Sequence, residues 1–255
     1  MIRVALSGAR GRMGGLIMEE IARADDMELV AAFDVVGIGS PVRDGIFLSD
    51  PRRMGEELRE TRSDVLIDFT VASAAVENAV AAATEGVALV IGTTGLSKEQ
   101  LSRMQEAIED HVPAVISPNF SVGVNIFWKL VEQAAAALKD YDAEVVEAHH
   151  NKKRDAPSGT ALKAVEILKK ETGIENVSFG REGIDPRGRE IGVHAVRAGD
   201  IVGDHLVLFA GPGERIEIRH QAHSRSAFAS GAVRAARWVV GARPGVHSMA
   251  EVLDV

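Results

Sequence analysis

The stretch Ile2-Arg3-Val4-Ala5-Leu6-Ser7-Gly8-Ala9-Arg10-Gly11-Arg12-Met13-Gly14 decides the fold. Its first six residues are a short apolar run suited to a parallel strand buried on both faces. Residues 13–24 then place Met13, Leu16, Ile17, Ile21 and Ala24 on one side of a helix. The three glycines between them have separate uses. Gly8 permits a tight turn, Gly11 lets the backbone come close to a pyrophosphate, and Gly14 allows close helix–sheet packing, while the helix start offers N–H groups to the phosphates. The spacing is G-x-x-G-x-x-G, which taken alone also fits an ordinary strand-to-helix turn.

Outward from this unit the pattern repeats. Residues 28–33, 65–69, 87–91 and 112–116 read as further strands, with helices between them. One helix opens at Asp50-Pro51, one covers 71–85 after Thr70, and one starts at Lys98 behind a Ser97 cap with Leu101, Met104, Ala107 and Ile108 on one face. Alternation of this kind predicts an α/β fold, a Rossmann-like doubly wound parallel sheet. After Phe120 the order changes. A long helix at 124–138, a strand at 143–149 and a helix at 158–172 precede a Gly- and Arg-rich loop at 180–189. Three runs then come without intervening helices, at 191–197, 205–209 and 215–222. Consecutive strands predict a second α+β domain with a mixed sheet. The last helix, 227–240, is expected to return to the first sheet with only a short tail behind it. The expected division is a dinucleotide-binding domain of residues 1–120 plus 229–255 and a substrate-binding and oligomerisation domain of residues 121–228.

Composition narrows the function. At roughly 150 residues per domain, 255 residues fit one large domain or two modest ones. Eight Phe, two Trp and one Tyr leave an aliphatic core and no base-stacking platform. The formal charge of −8 argues against nucleic acid and against an anionic membrane surface, so a small molecule is the expected partner. With no cysteine, disulfide, thiolate and Cys-ligated metal chemistry are all excluded. The first strand runs straight into the glycine turn with no signal-like segment, and no apolar stretch is long enough to span a bilayer. A cytoplasmic location is expected.

Twenty residues beyond Gly14, Asp34 ends the second strand, where a carboxylate can bind both hydroxyls of an adenosine ribose. Val35 and Val36 come next, so no neighbouring cation awaits a 2′-phosphate, which favours NADH over NADPH. Arg10 and Arg12 in the glycine loop are the residues able to reach such a phosphate. Two more loops lie at carboxyl ends of strands, where open α/β sheets bind ligands: Gly92-Thr93-Thr94-Gly95 and Ser117-Pro118-Asn119-Phe120. Their small and hydroxyl residues leave room for a nicotinamide ring. Asp68-Phe69-Thr70 occupies the same edge, with Thr70 also readable as a helix cap.

The second constellation is Glu147-Ala148-His149-His150-Asn151-Lys152-Lys153-Arg154-Asp155-Ala156-Pro157-Ser158-Gly159-Thr160. A strand ends in two histidines, a basic turn comes after it, and a helix begins. Amides of Gly159 and Thr160 at the helix start suit a carboxylate, with His150 and Lys153 adding charge-assisted bonds. His149 titrates near neutrality, and Lys153 can protonate a nitrogen or oxygen. The same residues also read as a solvated basic turn after a strand end. A metal site from His149, His150, His220 and His223 lacks a recognisable ligand spacing.

These segments, with Asn119-Phe120-Ser121-Val122-Gly123-Val124-Asn125, Arg197-Ala198-Gly199-Asp200 and His220-Gln221-Ala222-His223-Ser224-Arg225, resemble the 4-hydroxy-tetrahydrodipicolinate (dihydrodipicolinate) reductase family in order and over nearly the whole chain. The resemblance implies a cytoplasmic homotetrameric enzyme of the diaminopimelate route to lysine that uses NADH or NADPH. It implies that His149 is the proton donor or acceptor, that Lys153 is the second catalytic proton donor, and that His150, Gly159 and Thr160 hold a small dicarboxylate substrate. For the cofactor it implies Gly8, Ala9, Arg10, Gly11, Arg12, Met13, Asp34, Gly92, Thr93, Thr94, Ser117, Pro118, Asn119 and Phe120. Asn151 and Lys152 depart from the Arg and His often found between the two catalytic positions, and Asp34-Val35 lacks the Arg that can come after the acidic residue. A different two-domain nicotinamide-dependent dehydrogenase and a non-enzymatic NAD-sensing module are the competing readings.

Overall fold

A computed structural model describes residues 1–43 and 45–255. In chain order the elements are β1 (Ile2–Ser7), α1 (Arg12–Arg23), β2 (Met27–Phe33), β3 (Pro41–Arg43), β4 (Ile46–Ser49), α2 (Met54–Glu60), β5 (Val65–Asp68), α3 (Ala72–Thr84), β6 (Ala88–Ile91), α4 (Lys98–Ile108) and β7 (Pro113–Ile116). They continue as α5 (Val122–Ala137), β8 (Asp142–His149), α6 (Gly159–Thr172), β9 (Val177–Phe179), β10 (Ile191–Arg197), β11 (Gly203–Gly211), β12 (Glu214–Ala222), α7 (Ser226–Val239), β13 (Gly245–His247) and α8 (Met249–Leu253). Two compact units result, Met1–Ser121 with Ser226–Val255, and Val122–Arg225.

The first unit is an eight-stranded sheet in the order β13-β7-β6-β5-β1-β2-β4-β3, parallel except where β3 runs against β4. Period-two alternation sends Val4 and Leu6, Val65 and Ile67, and Val90 to the face covered by α1, α7 and α8. Ala5, Leu66 and Leu89 go to the face covered by α2, α3 and α4. Both faces are buried, which is why each strand reads as a continuous apolar run. Helix α7 packs on this sheet through Ala229, Ala232, Val233, Ala235, Ala236 and Val239. The chain beyond α7 is more than a tail: Gly245 to His247 pair in parallel with β7, and α8 starts in a capping box of Ser248 and Glu251.

Local chemistry explains most helix starts. Ser97 accepts from the Gln100 N–H and completes a capping box, and Asp50 caps a single 3-10 turn at Pro51–Arg53 ahead of α2. Thr70 does not cap α3. Val71 occupies that position without a side-chain bond, because the Thr70 hydroxyl donates to Asp68 instead, at 2.7 Å.

The second unit is a five-stranded mixed sheet, β12-β11-β8-β10-β9. β10 is parallel to both β8 and β9, while β11 runs antiparallel to both β8 and β12. Helices α5 and α6 cover one face, with Phe127, Val131, Val165 and Leu168 packed on Val145, Val193, Val207 and Phe209. Along β8 the buried positions are Ala143, Val145, Glu147 and His149, so the strand carries a carboxylate and an imidazole on the face that otherwise holds the core.

Candidate functional site

Within the first unit, the residues assigned to the cofactor all lie at the carboxyl ends of neighbouring strands. Gly8 has φ +81, and a side chain there would meet the Phe69 carbonyl oxygen at 2.7 Å. The Gly8 and Ala9 amides donate to the Phe33 carbonyl, which locks the loop onto the end of β2. Gly14 is buried where a Cβ would run into the carbonyl oxygens of Gly8 and Ala9. Helix α1 therefore starts against the loop, with Gly11 as its N-cap and no side chain across its first amides. Asp34 accepts from the Arg10 N–H at 2.9 Å and the Val36 N–H at 3.0 Å, and this fixes its carboxylate beside the loop. The Arg10 guanidinium donates to Ser40 Oγ at 2.6 Å, on the segment just after Asp34. A glycine cradle, an uncapped helix start and a strand-end carboxylate fit a dinucleotide.

The neighbouring loops are held by a buried network. Asp68, 1% exposed, accepts from Thr70 N–H, Thr70 Oγ1 and Thr93 Oγ1 on one oxygen and from Asn78 Nδ2 on the other. The Thr93 hydroxyl is thus turned inward, and Thr94 is the exposed member of its pair. Gly92 leaves the space that the Phe69 ring fills, and that ring lies 5.6 Å from Phe120. Ser117 is likewise internal, donating to the Asn119 carbonyl, and Phe120 is buried against Gly231 of α7. Of the residues assigned to the cofactor in these two loops, Thr94 and Pro118 are the exposed ones.

The second unit gathers the charged residues. His149 ends β8, and its Nδ1 lies 2.5 Å from Glu147 Oε2. Glu147 is fully buried and also accepts from both terminal nitrogens of Arg197, at 2.8 and 2.7 Å, and from the Ser158 N–H at 3.0 Å. Burial works against its ionisation, but the bonds from Arg197, His149 and Ser158 outweigh it and hold the carboxyl below the usual range. The His149 imidazole is displaced downward, first by burial and then by the Lys153 and Arg197 cations, with Glu147 opposing. Beneath it His205 meets the ring edge-on at 5.1 Å and pairs through Nε2 with Ser158 Oγ at 3.0 Å. Burial pushes His205 down to about 3, so it is neutral at ordinary pH.

Two turns lock together above this pair. The Ala198 N–H donates to the His149 carbonyl, His150 N–H to Ile201 and Asn151 N–H to Gly199. Lys153 Nζ lies 2.8 Å from the Asp155 carboxylate, whose own carbonyl accepts from Arg197. Ser158 caps α6 through the Ala161 N–H, which makes Gly159 and Thr160 the first two helical residues with open space beside Gly159. His149, His150, Lys153, Gly159 and Thr160 therefore belong to one strand end, the turn after it and the start of α6.

Sequence reasoning assigned no role to Glu147, Asp155, Ser158, Arg197 or His205. The signal for Glu147 is the alternation of β8, which puts Glu-x-His on the buried side. Arg197 and His205 come from other strands, and no local pattern ties Arg197 to Glu147 or His205 to Ser158. Among the described residues no group of three or more His, Asp or Glu could hold a metal ion, and no helix is long and apolar enough to cross a membrane.

A Rossmann-like sheet with a glycine cradle, joined in one chain to a mixed-sheet unit bearing an acid–base cluster, defines a two-unit oxidoreductase of the nucleotide-dependent class. Family models narrow the class. One described as dihydrodipicolinate reductase, N-terminus, matches residues 2–120, and one described as dihydrodipicolinate reductase, C-terminus, matches residues 123–253. The chain belongs to the dihydrodipicolinate reductase family. It is 56% identical over 263 residues to a 4-hydroxy-tetrahydrodipicolinate reductase of Methanosarcina barkeri and 55% identical over 259 residues to one of Methanoculleus marisnigri, covering 100% of each chain. A dipicolinate-bound dihydrodipicolinate reductase from Paenisporosarcina sp. TG-14 superposes with a TM-score of 0.83 at 28% identity, over 98% of both chains. An amine dehydrogenase from Mycobacterium smegmatis, at 15% identity and a TM-score of 0.63 over 97% of this chain and 95% of that one, shares the fold alone. The reading as a sensing module without activity is set aside by membership of a reductase family.

Proposed function

We propose that this protein reduces 4-hydroxy-tetrahydrodipicolinate to tetrahydrodipicolinate, with loss of water, in the diaminopimelate route to lysine, using NADH or NADPH. When bound, the reduced nicotinamide supplies a hydride. His149 and Lys153 supply protons and neutralise the charge that reduction leaves on the ring nitrogen. The amides of Gly159 and Thr160, with His150 and Lys153, hold the carboxylates. What carries this reading is the coupling of His149 to a buried Glu147 at the end of β8 and of Lys153 to Asp155 in the turn after it, 2.5 and 2.8 Å apart respectively.

Residues Gly8 to Met13, Asp34, Gly92 to Thr94 and Ser117 to Phe120 form the cofactor site of the first unit, with Thr93, Ser117 and Phe120 serving as its scaffold. NADH is preferred because the fixed Asp34 carboxylate repels a 2′-phosphate. Arg10, anchored on Ser40 of the same segment, offsets part of that repulsion and keeps NADPH acceptable. The enzyme works in the cytoplasm as a homotetramer. The exposed edge strand β12, nine residues long, supports association of the second unit.

The test is a coupled assay in which a synthase makes the unstable substrate from pyruvate and aspartate semialdehyde. His149→Ala and Lys153→Ala each lower kcat by about 10²-fold or more. Near-normal turnover in both variants would sink the assignment.

A further inference from the structure

We propose that Glu147 is a positioning residue for the proposed proton donor His149, fixing its imidazole with the proton on Nδ1 and Nε2 turned to the substrate, and that Arg197 holds Glu147 in that task. This rests on the proposed role of His149.

The geometry is specific. A buried carboxylate has about four acceptor directions, and Glu147 fills them with four donors from three places. These are His149 Nδ1, two residues along its own strand, both terminal nitrogens of Arg197 on β10, and the Ser158 N–H at the start of α6. Parallel pairing of β8 with β10 sets Arg197 opposite His149 itself, so the guanidinium reaches back by one side-chain repeat to the carboxylate. Arg197 is pinned in turn by the carbonyl oxygens of Asp155 and Val196. Against such an ionised acceptor the neutral imidazole places its hydrogen on Nδ1. On the other edge of the ring, a side chain at position 203 would come within 3.1 Å of Nε2, and glycine there keeps that edge open.

The same contacts set the electrostatics. Glu147 faces His149 from β8, Arg197 from β10, Lys153 from the turn and His205 from β11, with His220 and Asp204 behind His205. Asp155 faces both Lys153 and Arg197. Glu147 alone among the groups acting on His149 favours the imidazolium; Arg197 and Lys153 disfavour it. Removing Glu147 therefore lowers the pH at which His149 loses its proton, and removing Arg197 raises it. A donor must be protonated, so the limb on which activity falls with rising pH moves down in Glu147→Gln and up in Arg197→Gln. A purely structural ion pair lowers activity in both variants without opposite shifts.

The experiment pairs kinetics with nitrogen NMR of the His149 ring. In Glu147→Gln, kcat falls about 10–100-fold, whereas KM for the dicarboxylate changes by less than about threefold, since glutamine still accepts the Ser158 N–H. Glu147→Asp keeps the charge and leaves the limb near its wild-type position. NMR of the wild-type protein finds the neutral imidazole protonated on Nδ1, and Glu147→Gln moves the proton to Nε2. Should the single variant not fold, Glu147→Gln/Arg197→Gln leaves no buried charge alone and still loses the Nδ1 preference. Neutral His149 protonated on Nε2 in the wild-type protein, or limbs that shift in the same direction or not at all, overturns the proposal. Because NMR reads the ring without substrate, an inactive wild-type protein breaks the functional reading separately.

Discussion

The two units build their proposed sites from different materials. In the first, backbone does the work: a left-handed Gly8, a Gly14 with no room for a side chain, and the amides at the start of α1. In the second, side chains do it, with Glu147, His149, Arg197, Ser158 and His205 converging from β8, β10, β11 and the start of α6. A backbone site is a local object, fixed by a dozen consecutive residues, and tolerates change only where it does not add a Cβ. A side-chain site is a non-local object that depends on sheet topology and on keeping every buried charge matched.

The sharpest way to break this contrast is to exchange the lesions. His149→Ala should leave NADH affinity within about twofold while turnover collapses, because the bonds that hold the glycine loop and Asp34 lie within the first unit. Gly14→Ala should do the reverse. Its methyl group overlaps the carbonyl oxygens of Gly8 and Ala9, so NADH binding measured by calorimetry weakens at least tenfold, about 1.4 kcal/mol. A Gly14→Ala protein that binds NADH normally would contradict the backbone account.

Acid provides a smaller effect confined to the second unit. The folded-state pKa of His205 is depressed to about 3, so the unfolded chain takes up a proton below about 6.5 that the folded one refuses. Its contribution to stability is complete above that pH and is lost as pH falls toward 3, at no more than about 1.4 kcal/mol per pH unit. The depressed Glu147 acts in the same sense below about 4.3. Urea melts at pH 7.5 and pH 5 should show lower stability in acid and a flatter dependence for His205→Gln; an unchanged slope would contradict a neutral buried His205. The smallest effect concerns cofactor choice. Asp34→Asn removes the carboxylate held by the Arg10 and Val36 amides and should shift the NADPH to NADH ratio of kcat/KM toward NADPH by on the order of tenfold. Arg10→Ala should shift it the other way.

Legibility in the sequence divides along the same line. The strand and helix of residues 2–23, Asp34 and the loops after β6 and β7 were readable because each depends on apolar runs, glycine or a strand end. The turn from His149 to Thr160 was readable as a group for the same reason. The inward hydroxyl of Thr93 was not, because it answers Asp68 on the neighbouring strand, and Glu147 reads in the sequence only as a residue flanking the histidines. Arg197 stands 50 residues from its carboxylate and His205 stands 47 from its serine, distances that only the pairing of β8 with β10 and β11 closes. The pieces after α7 are not legible in the sequence because three residues of β13 show no period of their own and gain one only from β7.

The most direct measurement is loss of nicotinamide absorbance when the purified protein is added to a synthase making its substrate from pyruvate and aspartate semialdehyde. Oxidation of NADH, and more slowly of NADPH, that stops when the synthase is omitted is the predicted result. A folded protein that binds NADH yet oxidises neither cofactor would contradict the assignment of the second unit's cluster to this reduction.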